Sequence, residues 1–187
     1  VSPKRCGHMQ GKAVIPADEM VRKIRAAAGA RSSSDFYIVA RTDARAVSGL
    51  DEALRRGEQY LEAGADGLFI EAPETVEELA KIGRTFQGVG QFANMVEGGG
   101  QTPVLPPDEL QKLGFNMVRK HVKVEPERWY HHCDKLGLLV WQDMPSGDVN
   151  APWPVDSTEI KRSNESAEIY DRELRALIES RRDCPCI

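Results

Sequence analysis

The sequence predicts an α/β fold of parallel βα units with about five strands. Three observations predict it. Short β-rich apolar runs alternate repeatedly with stretches of helical periodicity, the pattern of a parallel sheet with covering helices. Prolines, threonines and glycines mark where those helical stretches start and stop. In each unit the polar residues able to do chemistry follow the apolar run, at what becomes the carboxyl edge of the sheet.

The first helix opens at about Pro16, carries Met20, Val21 and Ile24 on one face, and runs to Gly29. A buried strand, Phe36 to Ala40, leads into Arg41-Thr42-Asp43, and a second helix spans Leu50 to Ala63 before Gly64. The next strand, Gly67 to Ile70, ends at Glu71-Ala72-Pro73, and Thr75 introduces a helix over Val76, Leu79 and Ile82. Gln91 to Val96 reads as a third strand, followed by the glycine-rich Glu97 to Gly100 segment and a short helix from Pro107 to Leu113. Phe115 to Val118 is a fourth strand, Glu125 to Lys135 a helix, and Leu138 to Trp141 a fifth strand. Pro, Gly, Asn and Ser make residues 144 to 164 a long loop; Glu165 to Ser180 then reads as an amphipathic helix with Ile169, Leu174, Leu177 and Ile178 inward.

With 187 residues, 41% of them hydrophobic and 29% charged, the chain suits one α/β domain with a real core and not a disordered segment. The formal net charge of -4, without a basic run interleaved with aromatics, argues against nucleic acid and anionic membranes as partners. Small molecules or other subunits are the expected partners. No apolar stretch approaches the roughly 20 residues of a membrane span, and the charged opening Val1 to Arg5 lacks a signal-peptide core, so a cytoplasmic protein is expected. Cys6, Cys133, Cys184 and Cys186 are too sparse for a disulfide framework; reduced thiols are expected, and Cys184-Pro185-Cys186 lacks zinc-knuckle spacing.

Arg41 and Asp43, then Glu71, then Asn94 and Glu97, then Arg119 and His121, then Gln142 and Asp143 follow successive strands and converge on one rim. Any one of them could simply cap a helix or pair with a neighbour. Their recurrence after five strands points instead to a site built on that rim.

Lys4-Arg5-Cys6-Gly7-His8, followed by Arg41-Thr42-Asp43, Ile70-Glu71-Ala72-Pro73 and Asn94-Met95-Val96-Glu97-Gly98-Gly99, resembles the isocitrate lyase and phosphoenolpyruvate mutase superfamily. The 2-methylisocitrate lyase group is nearest in pattern, over residues 1 to about 115. The resemblance implies a TIM-barrel architecture and a carbon–carbon lyase that splits a 2-hydroxy tricarboxylate into succinate and a 2-oxo acid. It implies Cys6 as the acid that protonates the departing succinate, among the positive charges of Lys4, Arg5 and His8. It implies Arg41 as a bidentate clamp for a substrate carboxylate, Glu71 and Asn94 as orienting groups, and Gly7 and Gly11 as hinges of a lid. It also implies Mg2+, whose ligands lie mainly on strand ends upstream of this loop. Val1 falls where that segment would finish, so the ligand set is expected to be incomplete, with Glu71 a weak remaining donor and turnover impaired.

From Gly114 a second resemblance is read. Gly114 to His121, Trp129-Tyr130 and Leu136 to Pro145 are similar to the catalytic barrel of glycoside hydrolase family 2. On that reading residues 1–113 and 114–187 are two segments of one α/β domain spliced at Leu113-Gly114-Phe115. His121 and Asp143 then match sugar-pocket positions, and Trp129 and Trp141 are simplest as core. About five strands, where a closed barrel has eight, leave an incomplete or open barrel unless copies associate as a homo-oligomer. Three expectations follow: an impaired lyase for a small carboxylate substrate, a glycoside hydrolase fragment, or a non-catalytic chimeric scaffold.

Overall fold

A computed structural model describes residues 11–145 and 162–187. Twelve elements follow one another: α1 (Ala17–Ala30), β1 (Val39–Thr42), α2 (Ala44–Ser48), α3 (Leu50–Glu62), β2 (Gly67–Ile70), α4 (Val76–Thr85), β3 (Gly90–Met95), α5 (Pro107–Lys112), β4 (Met117–Lys120), α6 (Glu127–Leu136), β5 (Leu139–Gln142) and α7 (Asn164–Arg181). The strands form one parallel sheet in the order β1-β2-β3-β4-β5. The α/β expectation of about five parallel strands holds, and the barrel is open, because β1 and β5 are not neighbours.

The pleat sorts the strand residues onto two faces. Ala40, Leu68, Ile70, Ala93, Met95, Val118 and Val140 join Ile24, Leu54, Tyr60, Leu79, Ile82, Phe86, Leu110, Tyr130 and Cys133 in one core cluster between sheet and helices. The alternate residues Arg41, Phe69, Phe92, Asn94, Arg119 and Trp141 share the other face, in register across the strands. Phe69 and Phe92 meet edge to face at 4.8 Å between ring centres, as do Phe92 and Trp141 at 5.5 Å.

Four expectations are corrected. β1 begins at Val39, not Phe36, because Tyr37 lies across the amino ends of β2 and β3, its hydroxyl donating to Asp66 O at 2.7 Å. A Cβ on Gly90 would stand 2.1 Å from that hydroxyl, so any larger residue there would push the Tyr37 ring aside. β4 likewise begins at Met117, two residues late. Asn116, just before it, already bonds to both neighbouring strands: its side chain accepts from Gln91 N, its N–H donates to Gln91 O and its C=O accepts from Leu139 N. Trp141 is 57% exposed and not core, because it points to the face opposite the helices. In α7, Ser166 is the buried residue and Ile178 is 56% exposed, so the inward stripe covers less than its periodicity suggests.

The C-terminal residues close on α6 and β5. Cys186 N donates to Asp134 Oδ1 at 2.8 Å, and Val140 N donates to Cys186 O. Cys133, Cys184 and Cys186 are free thiols, and burial pushes those of Cys133 and Cys186 up to about 12. Among the described residues no helix is long and apolar enough to cross a membrane.

Candidate active site

The carboxyl ends of β1, β2 and β3 bring together Arg41, Glu71 and Asn94. Arg41 is the third residue of β1, on the face away from the helices. Glu71 follows β2 directly and is 1% exposed, anchored by its N–H to Thr42 O at 2.9 Å. Behind it Ala72 takes φ 56°, a left-handed conformation that costs a non-glycine residue about 1–2 kcal/mol and turns the chain sharply away from the sheet. Asn94, 6% exposed near the end of β3, donates from Nδ2 to Glu71 Oε1 at 3.3 Å. Its Oδ1 is buried without a hydrogen bond among the described residues.

Arg41 Nη2 lies 3.0 Å from Glu71 Oε2, and its Nε and Nη2 donate to Asp43 at 2.9 and 3.1 Å. Lys12 Nζ reaches the same carboxylate at 3.0 Å. Burial alone would raise the pKa of Asp43; hydrogen bonds from Arg41 and Lys12 outweigh it and hold the carboxyl below its usual range. The Arg41 guanidinium also lies 5.0 Å from the centre of the Phe69 ring. Arg41 keeps 37% of its side chain exposed, whereas Asp43 and Glu71 show 4% and 1%. The cation reaches the surface and the anions that neutralise it sit behind.

A second cluster occupies the ends of β3 and β4. Glu97 pairs with Lys120 and Lys123, whose hydrogen bonds hold its carboxyl down at about 2, and Lys120 also pairs with Glu125. Lys120 is buried, 5.7 Å from the centre of the Trp129 ring. Beside it, between the sheet and α5 and α6, lies a hollow of about 230 Å³ lined chiefly by Met95, Leu105, Leu110, Val118 and Trp129.

Of the residues expected to act, Arg41 and Asn94 both contact Glu71. Lys4, Arg5, Cys6, Gly7 and His8 lie outside the described residues. Asp143 is bidentate with Arg119, at 3.0 and 2.7 Å, so both its oxygens have a partner within the fold. His121 is half-buried and follows that pair. Asp43, expected on this rim, and Lys12, of which nothing was expected, complete the first cluster. The donors do not fit a magnesium ion. Glu71 already faces a guanidinium and an amide N–H, and the described residues contain no group of three or more His, Cys, Asp or Glu able to hold a metal.

The family model for phosphoenolpyruvate phosphomutase matches residues 4–120. The chain belongs to this family. It is 52% identical over 118 residues to the petal death protein of Dianthus caryophyllus, covering 63% of this chain and 36% of that protein. It is 45% identical over 151 residues to the 2,3-dimethylmalate lyase of Eubacterium barkeri, covering 81% of this chain and 50% of that enzyme. A crystal structure of 2,3-dimethylmalate lyase aligns with a TM-score of 0.60 and 36% identity, over 63% of this chain and 40% of that one. Several 2-methylisocitrate lyases are among the other relatives. The chain thus spans roughly a third to a half of the length of these relatives.

The comparisons give no support to a glycoside hydrolase or to a splice. The match to 2,3-dimethylmalate lyase is long enough to cross Leu113-Gly114-Phe115. The sheet also crosses it, pairing Phe92–Met95 of β3 with Met117–Lys120 of β4.

Proposed function

We propose that the chain carries the carboxylate-binding rim of a carbon–carbon lyase that cleaves a 2-hydroxy di- or tricarboxylate into a 2-oxo acid and a second carboxylate, a monocarboxylate from a dicarboxylate and succinate from a tricarboxylate. One observation supports this above the others: Arg41 at the end of β1 is exposed by a third and backed by the buried carboxylates of Asp43 and Glu71. Such an arginine has its orientation set before a ligand arrives and brings a permanent positive charge to the rim, suited to attract a carboxylate.

In the proposed reaction the substrate hydroxyl gives its proton to solvent water and becomes the 2-oxo group. The adjacent carbon–carbon bond breaks, and its electron pair passes to the carbon beside the departing carboxylate. That carbon then takes a proton, which the family resemblance assigns to Cys6. Arg41 binds a carboxylate of the substrate. Asn94, with its Nδ2 held by Glu71, turns Oδ1 to accept a substrate hydroxyl, which answers the missing partner of that buried oxygen. The described residues give no magnesium site, and no step is assigned to one.

The test is release of 2-oxo acid from 2-methylisocitrate and 2,3-dimethylmalate, with magnesium supplied, beside succinate binding by calorimetry. Release that disappears in Cys6→Ser, with succinate binding weakened about tenfold in Arg41→Lys, is the expected result. Binding without release would make the chain a carboxylate-binding protein. No binding would end the reading.

A further inference from the structure

Asp43 stands where a helix cap is expected and does not act as one. It directly precedes α2, with φ -102° and ψ 12°, and its side chain makes no capping hydrogen bond to that helix. Both of its oxygens go to cations instead. Oδ1 accepts from Lys12 Nζ at 3.0 Å and from Arg41 Nη2 at 3.1 Å, and Oδ2 accepts from Arg41 Nε at 2.9 Å. A carboxylate this deeply buried persists in a fold only when such partners offset its desolvation.

The arrangement has a direction. Lys12 and Asp43 are 3% and 4% exposed and Glu71 1%, while Arg41 is 37% exposed. Of these four charges, the guanidinium alone stands forward. Bidentate contact with Asp43 along the Nε–Nη2 edge restricts the last torsions of the arginine, and the Phe69 ring supports its plane. Lys12, 31 residues earlier in the chain, brings the segment that enters α1 to the same carboxylate.

We propose that Asp43 is a positioning residue, which fixes the exposed Arg41 guanidinium for an incoming carboxylate and fastens to it, through Lys12, the segment leading into α1. This rests on the reading of Arg41 as the carboxylate-binding group. Its consequence is that a ligand adds to an arginine already ordered and does not displace Asp43, so little side-chain entropy is lost on binding. If Asp43 instead occupied the ligand's own place, it would let go when the ligand binds.

NMR on the isotopically labelled chain, with succinate as the probe, separates the two. Ligand-free wild type is expected to show a slowly exchanging Arg41 Nε–H with a scalar coupling through the hydrogen bond to Asp43 Cγ. At saturating succinate that coupling persists while the Arg41 Nη signals move. Absence of the coupling in the free chain, or its loss as succinate binds, overturns the proposal. In Asp43→Asn the Nε–H should exchange at the rate of an exposed arginine such as Arg22, and succinate should bind about tenfold more weakly. Unchanged affinity in a folded Asp43→Asn chain also overturns it. Should that variant fail to fold, the wild-type coupling and its response to succinate decide alone. If succinate does not bind while the coupling is present, the carboxylate reading of Arg41 fails and Asp43 still stands as the residue that orders it.

Discussion

Arg41, Glu71 and Asn94 were legible because each is a polar residue at the end of an apolar run, and a parallel sheet gathers such residues on one edge. The Lys12–Asp43 pair was not legible. A lysine before a helix and an aspartate after a strand look like a solvated charge and a cap, and nothing local reveals that they meet across 31 residues. The charge network predicts an acid limb of stability. Asp43 and Glu97 both titrate lower in the folded chain than unfolded, the latter at about 2 against an ordinary 4.5. Their stabilisation is therefore complete above pH of about 4.5 and is lost as the pH falls through the folded values. Glu97 is partly exposed, so solvent screening makes its share modest. Urea midpoints between pH 5 and pH 2.5 should fall steeply in wild type and less steeply in Glu97→Gln; parallel curves would remove Glu97 from the account. Glu71→Gln leaves the Arg41–Asp43 pair but removes a buried anion facing a cation. It should cost about 1–3 kcal/mol in urea unfolding at pH 7, less than a fully buried pair because Arg41 reaches solvent.

Helix ends were read more accurately than strand starts. Thr75 caps α4 as its position suggested, accepting from Glu78 N at 3.1 Å, and Pro107 begins α5. Strand starts depend on what crosses the sheet's amino edge, which no periodicity reports, and Tyr37 accordingly moved β1. The short helix α2 was missed because five residues carry too little periodicity to register. Close approach between elements was equally hidden. Gly83 in α4 packs so tightly on the end of α5 that an added Cβ would fall 1.6 Å from Leu113 O, a backbone atom that cannot swing aside. Gly83→Ala should therefore cost about 3 kcal/mol, against a small effect for Gly29→Ala, whose Cβ would meet nothing within 4 Å. Comparable urea midpoints for the two variants would show that α4 and α5 can separate without penalty.

At the scale of the molecule, the pattern of apolar runs identified the sheet but not which of its faces the helices cover. Both faces of a buried parallel strand are apolar, which is why Trp141 read as core. The described helices form the core cluster with one face only, and Phe69 and Phe92, though buried, lie outside that cluster. Trp141 and Leu139 extend the same face to β5, at 57% and 51% exposed. Parallel sheets are stable when both faces are covered and their edges are paired or blocked, and among the described residues β1 and β5 each have one strand neighbour. The C-terminal residues occupy part of the β5 edge through the bond from Val140 N to Cys186 O, but Trp141 stays exposed beside it. The chain in solution is therefore expected to self-associate through this face, with light scattering giving a mass above the 20.8 kDa of one copy at concentrations of tens of micromolar. Trp141→Lys places a charge on the face without touching the core cluster. It should shift the mass toward a single copy while costing about 0.5–1.5 kcal/mol in urea unfolding, the worth of its edge-to-face contact with Phe92. A wild-type chain that remains a single copy at 100-fold higher concentration would mean that this face is already satisfied within one molecule.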